Sequence, residues 1–241
     1  MKKKLITLFT ILLFSLQALV AQEQELPKWK FSISGGAGFQ LGDTKESVDQ
    51  LVNQGFNKND AEEYVNSLKW SGIFRTEAYY LFKPFIGMGM KYIFSGVSAK
   101  KDDLLISPYH ENMSYITDIE ERDYFHLLAP TLYLQEMLNA RKSLLFNQSL
   151  SLGYMRYRGE SELNYSRLLT TGNSAGLALD LGLEYFFRKN WSISANFAFI
   201  HSTFGKITLN DGYDTATYSL NEKLKLNRID LSMGVHFYVF K

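Results

Sequence analysis

The sequence predicts an all-β fold, an eight-stranded antiparallel up-and-down transmembrane β-barrel with a short helical hairpin in its first extracellular loop. Three observations predict it. Eight segments alternate apolar and polar residues with the two-residue period of a pleated strand. The gaps between them are long and short in strict turn, as in a barrel with long loops on one side of a membrane and tight turns on the other. The polar faces are rich in Gly and Ser and carry charges of both signs, as suits an interior too narrow for bulky groups on every strand. A soluble lipocalin-like barrel would show the same alternation with its apolar faces buried. The aromatics near the ends of the apolar faces, Trp29, Tyr80, Phe82, Tyr154, Tyr185 and Trp191, match interfacial girdles and decide for the membrane.

Residues 1–21 read as a cleaved secretory leader. Met1-Lys2-Lys3-Lys4 is basic, Leu5 to Phe14 is apolar, and Ala18-Leu19-Val20-Ala21 ends on a small residue before Gln22. A retained membrane helix needs ~20 apolar residues, and Ser15 and Gln17 interrupt this run. Residues 22–241 then form one barrel domain. Cleavage takes three lysines from the 26 basic residues and leaves 23 against 25 acidic ones, a net charge of −2, with no footprint for nucleic acid. With no cysteine there is no disulfide, lipid-anchored N-terminus or thiolate metal site.

The first strand, 29–41, sets Trp29, Phe31, Ile33, Ala37 and Phe39 against Lys30, Ser32, Ser34, Gly36 and Gly38. The second, about 70–82, points Phe74, Thr76, Ala78, Tyr80 and Phe82 outward and Arg75, Glu77 and Tyr79 inward; the third, about 86–97, points Met88, Met90, Tyr92 and Phe94 outward and Gly87, Gly89, Lys91 and Ser95 inward. The fourth, about 123–135, is apolar on both faces, so its phase is left open, and Pro130 is expected at a site such as a bulge where its missing N–H is harmless. The fifth, about 143–158, opposes Leu144, Phe146, Leu150, Leu152 and Tyr154 to Asn147, Ser149, Ser151 and Gly153. The sixth, about 174–186, opposes Leu177, Leu179, Leu181, Leu183 and Tyr185 to Ala178, Asp180, Gly182 and Glu184. The seventh opposes Trp191, Ile193, Phe197 and Phe199 to Ser192, Ser194 and Asn196, and the eighth Ile229, Leu231, Met233, Val235 and Phe237 to Arg228, Asp230, Ser232 and His236.

The long gaps fall at about 43–69, 98–122, 159–173 and 201–227. A three-residue turn at Lys83-Pro84-Phe85 would place Glu77 opposite Lys91 inside the cylinder, where an unpaired charge is costly. Arg75, Asp180, Glu184, Arg228 and Asp230 extend this into a lumen charge network that plugs the barrel by mutual neutralisation. In the first gap, Asp43-Thr44-Lys45-Glu46 and Asp60-Ala61-Glu62-Glu63 have capping-box spacing. Behind them Val48, Leu51, Val52 and Phe56, then Tyr64, Val65 and Leu68, repeat at helical intervals. This hairpin packs on itself, caps the mouth, or meets a surface protein partner through the 43–69 loop. Asn210-Asp211-Gly212 marks a turn in the last long gap.

His110, His126, His201 and His236 form no metal-ligand spacing, and no phosphate loop or nucleophile elbow is present, so no cofactor or metal is expected. His201 and Thr203 share a strand face. This resembles the His-x-Ser pair of outer-membrane lipid A deacylases, with Thr203 in place of the serine, without the Asn-Ala-Gly-Leu that follows it in that family, and with no orienting acid in view.

The leader ending Val20-Ala21-Gln22, the Gly-rich opening strand Trp29 to Phe39, the proline-bearing strand Tyr124 to Tyr133 and the closing Gly234-Val235-His236-Phe237-Tyr238-Val239-Phe240 together resemble the small OmpA-like and PorT-like outer-membrane barrels of Bacteroidetes. The resemblance covers essentially the whole mature chain. Asp214-Thr215-Ala216 resembles the short O-glycosylation sequon of that group's secreted proteins. Barrels of this group commonly end on an aromatic residue, whereas here Lys241 follows an inward-phased Phe240. The resemblance implies a structural, interaction or secretion-associated role in the outer membrane, with membrane lipid, lipopolysaccharide and the barrel insertion machinery as partners. A lipid-modifying hydrolase and a narrow solute channel are the alternatives.

Overall fold

The structure, a computed structural model, describes residues 27–42, 44–106, 115–163 and 166–240. The leader 1–21, Asp43, His110 and Lys241 lie outside them. Strands β1 (Pro27–Gln40), β2 (Trp70–Lys83), β3 (Ile86–Ile106), β4 (Tyr115–Met137), β5 (Leu144–Leu163), β6 (Ser166–Arg188), β7 (Trp191–Asn210) and β8 (Thr215–Phe240) each pair antiparallel with the next in sequence. β1 also pairs with β8, from Pro27 opposite Phe240 to Gln40 opposite Arg228, so the sheet closes on itself and leaves no edge.

The alternation turns outward what a soluble protein would hide. Ile33, Leu152, Leu231 and Met233 are 61–75% exposed, while Ser32, Asp180 and Asp230 across the pleat are buried. The aromatic residues at the ends of the apolar faces are likewise exposed.

The strands run further than the alternation suggested. β3 to β8 are 20–26 residues long, roughly twice the ~9–11 that cross a bilayer. Much of the gaps at 98–122, 159–173 and 201–227 is therefore sheet continuing past the apolar band rather than loop. The β7–β8 connection narrows to a short turn in which Asp211 Oδ1 accepts from the N–H groups of Tyr213 (2.9 Å) and Asp214 (2.7 Å). Gly212 there has φ +91°, a conformation that disfavours a side chain.

Three local expectations need correction. The β2–β3 turn uses two residues, Pro84 and Phe85, closing on Lys83 opposite Ile86; an irregularity between Leu81 and Lys83 takes up the extra residue and restores Glu77 opposite Lys91. Pro130 occupies no bulge: the β4–β5 register is the same on both sides of it, and Pro130 points outward where the ladder with β5 skips Ala129 and Pro130. The second capping box is also misplaced.

The first long gap holds α1 (Lys45–Asn53) and α2 (Lys58–Ser67). α2 is capped by Asn57, whose side chain accepts from the Asn59 N–H at 2.9 Å, so Asp60 falls in the first turn instead of at the cap. α1 starts after Thr44, which makes no side-chain capping bond. Val48, Phe56, Ala61, Tyr64 and Val65 bury one another together with Ala99 of β3 and Ile119 of β4. Both wall residues point into the cylinder, so the hairpin packs on itself and over the mouth at once.

Candidate functional site in the lumen and at the mouth

The lumen is layered. At the inner end Tyr79, Leu81, Tyr133 and Tyr238 cluster, with Phe186 and Phe240 against them. Within and just above this floor lies Glu184, fully buried. One of its oxygens accepts from Lys30, Asn147 (2.8 Å) and Tyr133 (3.3 Å), and the other from Tyr238 (2.7 Å) and Ser192 (2.9 Å). Lys30 also donates to Tyr133 OH over 2.6 Å and lies 4.4 Å from that ring's centre. A second group gathers around Asp180, which holds Arg75 and Lys91 and accepts from Ser149 at 2.8 Å. Glu77 stands 3.3 Å from Lys91 and 3.8 Å from Arg75 and accepts from Ser32 at 3.1 Å.

Arg228 and Asp230 form a third group, paired along one face of β8 with Nε–Oδ1 2.7 Å and Nη2–Oδ2 3.0 Å. The short Nε approach is an ion contact without hydrogen-bond alignment, because Nε and Oδ1 each lack a hydrogen-bond partner. Gly38 leaves room for the pair: a Cβ there would lie 2.6 Å from Asp230 Oδ1. No hydrogen bond or ion pair among the described residues joins Arg228 or Asp230 to the other groups. The seven charges named from the sequence thus divide into separate groups instead of one network. Glu184 has Lys30 as its counter-ion, a residue that alternation puts on the inward face but that lies outside the network expected from the sequence. Lys30, Arg75, Lys91 and Arg228 then balance Glu77, Asp180, Glu184 and Asp230 one for one.

Above these charges the lumen becomes apolar, contrary to the expected polar interior. Ile93, Leu127, Ala129, Met155, Ala178, Ile200, Phe204 and Leu226 form a buried cluster, each 0–2% exposed, together with Phe125. β4 supplies Phe125, Leu127 and Ala129 to this plug and Leu128, Pro130 and Leu132 to the outer wall. It is apolar on both faces because one side belongs to the plug and the other to the apolar outer wall.

Beyond the plug, outside the apolar band, the mouth holds two inward carboxylates. Glu121 accepts from Tyr64 OH of α2 at 3.0 Å, and Asp123 accepts from Tyr157 OH at 2.8 Å. Burial raises the Glu121 carboxyl above the usual range and, with the nearby Glu121 charge, pushes Asp123 up to about 7. The two phenols are raised by burial and by those same carboxylates. Lys101 is turned toward the hairpin, 2.9 Å from Asp60 and bonded to Glu63.

On the outer wall, His201 Nδ1 lies 2.7 Å from Asn227 Oδ1, and His201 Nε2 lies 3.4 Å from Thr203 Oγ1. Ser202 points inward and donates to the Ala175 carbonyl at 3.0 Å. The orienting group that sequence could not supply is an amide on the neighbouring strand, directly across from His201. Among the described residues no His, Asp or Glu grouping is placed to hold a metal ion.

No family model matches the chain, and no curated protein matches it either. Solved structures do match in fold. The outer membrane protease OmpT of Escherichia coli is similar over 90% of this chain and 99% of its own, at 9% identity and a TM-score of 0.52. A major outer membrane protein of Thermus thermophilus is similar over 87% of this chain and 98% of its own, at 14% identity and a TM-score of 0.52. The chain shares the fold of outer-membrane β-barrel proteins.

Proposed function

We propose that this chain is an eight-stranded outer-membrane barrel, exported with removal of residues 1–21, whose lumen is closed and whose role is structural, interactive or secretion-associated rather than enzymatic. The observation that carries this reading is the inversion of the molecule: apolar side chains cover the wall, while beneath an apolar plug the described residues include four basic and four acidic side chains, each paired within its own group. In this reading membrane lipid and lipopolysaccharide surround the wall, and the barrel insertion machinery acts on the closing strand. The apolar stripe of the 43–69 hairpin is occupied internally, so a surface partner would meet its polar side or the long hairpins around it. The resemblance to Bacteroidetes OmpA-like and PorT-like barrels belongs to the same proposal.

Membrane fractionation with a heat-modifiability gel tests it. The folded barrel migrates faster unboiled than boiled and partitions with the outer membrane; a soluble band that does not shift refutes the reading. Planar bilayers test closure. The wild type is expected to be silent, and steady conductance that disappears in a Glu77→Gln/Lys91→Met double variant would favour the channel.

A second reading is favoured by one observation, the outward series Asn227, His201 and Thr203. A histidine oriented through Nδ1, with a hydroxyl toward Nε2, is the arrangement of an activated nucleophile, here beside apolar wall positions where a lipid ester would lie. Mass spectrometry of lipid A after expression decides it. Loss of an acyl chain with the wild type and not with His201→Ala supports a hydrolase; unchanged lipid A dismisses it.

A further inference from the structure

The charges beneath the plug are matched and the inward carboxylates of the mouth are held by Tyr64 and Tyr157, so unspent polar chemistry is sought on the outside. Going outward along β5, the wall positions run Leu150, Leu152, Tyr154 and then Arg156. His126 stands directly across on β4 and Asn173 directly across on β6. The last tyrosines of the apolar band hold both neighbours: Tyr92 OH lies 2.8 Å from His126 Nδ1, and Tyr154 OH donates to Asn173 Oδ1 at 2.5 Å. With Tyr92 donating to Nδ1, the His126 proton resides on Nε2, and Asn173 keeps its Nδ2 as a donor. The arginines further out differ. Arg122 is paired with Glu120, and Arg158 and Arg167 both engage Glu160. Arg156 has no ion pair among the described residues, and neither of its cross-strand neighbours is acidic.

We propose that Arg156, His126 and Asn173 form a binding site for the phosphate of an outer-leaflet lipid headgroup. The three side chains offer N–H donors and no carboxylate, which fits a phosphate ester and disfavours a cation. The guanidinium fork suits two phosphate oxygens at once. Below it, Leu152 and Leu177 face each other across β5 and β6, and Ala175 lies across from Tyr154, so the wall stays apolar where the acyl chains of the same lipid would descend. Continuity between that apolar wall and the donor cluster selects a lipid over a free anion. Arg156 is placed where the hydrocarbon ends, as expected of a residue whose stem lies in the interface and whose head reaches phosphate.

This inference rests on the outer-membrane reading, and the test separates the two. The full mature chain is refolded in maltoside micelles, which carry no phosphate, and incubated with phosphatidic acid or with diacylglycerol of the same chains; native mass spectrometry counts retained lipid. Phosphatidic acid is expected to be retained in preference, about tenfold less by Arg156→Gln, as for loss of one charge-assisted contact. Arg158→Gln, whose arginine is already engaged by Glu160, should behave as wild type, and Arg156→Lys should keep part of the preference. Equal retention of both lipids, or a wild-type result for Arg156→Gln, overturns the proposal. Displacement by millimolar inorganic phosphate overturns the choice of a lipid as the ligand. A refolded chain that is heat-modifiable but lacks the preference removes this inference alone; one that shows no heat-modifiability removes the barrel reading along with it.

Discussion

Replacing Glu184 by Gln perturbs the lumen where its polar contacts are densest. The carboxylate accepts from Lys30, Tyr133, Asn147, Ser192 and Tyr238 and is 0% exposed. Gln has nearly the same volume, but it presents one acceptor oxygen and an NH2 group to a ring of donors, and it leaves the Lys30 ammonium, 1% exposed, without a counter-ion. Hydrogen bonds to a charged group are worth about 1.5–3 kcal/mol each, yet contacts sharing one carboxylate are not additive. The cost of orphaning one member of a buried pair, about 3–5 kcal/mol, is therefore the expected loss. Lys30→Met should cost a similar amount, because it strands the carboxylate. The double variant strands neither charge, so its loss should fall short of the summed single losses by at least ~2 kcal/mol. Urea unfolding in vesicles measures this, followed by fluorescence of Trp29, Trp70 and Trp191 on the outer wall. Single losses below about 1 kcal/mol, or a double variant equal to the sum, would refute a dry, closed pair and imply that water reaches this layer.

The mouth should respond to pH. The Asp123 and Glu121 carboxyls are raised by burial, so the docked mouth binds protons more tightly than the open one; its stability is greatest below the ordinary carboxylate range and declines as pH rises toward about 7. The protection of the α2 amides against hydrogen exchange, corrected for the intrinsic rise of exchange with pH, should fall from pH 5 to pH 8, and Asp123→Asn should flatten that profile; wild-type protection that is unchanged over this range contradicts the assignment. Tyr64→Phe leaves the half-buried Glu121 without its phenol donor and should loosen the hairpin by about 1–3 kcal/mol. Lys101→Ala removes ion pairs to exposed Asp60 and Glu63 and should cost no more than about 1 kcal/mol; limited proteolysis within 43–69 ranks the two. Gly89→Ala puts a Cβ 1.9 Å from the Ala78 carbonyl oxygen and 2.7 Å from the Tyr79 ring, so the backbone must shift at a cost of about 1–3 kcal/mol, read as a lower urea midpoint.

The sequence discloses most where one side of a strand belongs to the apolar outer wall and the other to the packed lumen. From Trp29 to Phe39, or Trp191 to Phe199, the two-residue period is clean because the two faces touch such different surroundings. It fades in the outer halves of β3 to β8, where residues such as Lys100, Arg122, Arg158 and Lys225 stand in water and the wall no longer selects apolar side chains. Strand there is held by neighbouring strand, through long pairings such as Ser98 with Arg122 and Glu160 with Leu169. The opposition of Glu77 and Lys91 was readable because it needs only the turn between them. Lys30 with Glu184 was not, because β1 and β6 are not neighbours in the sheet and meet only across the lumen. The start of α2 is ambiguous in the sequence for a local reason: Asn57 and Asp60 both suit a cap, and the choice falls to the residue whose extended backbone, φ −63° and ψ 137°, lets its side chain reach the Asn59 N–H.

The layering also bears on where function resides. A conducting lumen needs polar groups that an ion can use in passing, yet here the carboxylates and cations are already engaged with each other, and the passage above them is filled by Ile93, Leu127, Met155, Ile200, Phe204 and Leu226. Opening such a plug would mean exposing a core of 0–2% exposed side chains at ~25 cal/mol per Å², while the charges beneath would have to be separated in a confined space. Both costs favour a permanently shut cylinder over a gate. What the molecule leaves available lies outside that cylinder: the donors around Arg156, the oriented His201 with Thr203, and the acidic mouth under the hairpin. On the proposed reading, a barrel that neutralises and seals its own interior acts through its wall and its outer end. Substitutions at Arg156 or His201 should alter binding without altering stability, and substitutions in the lumen should do the reverse.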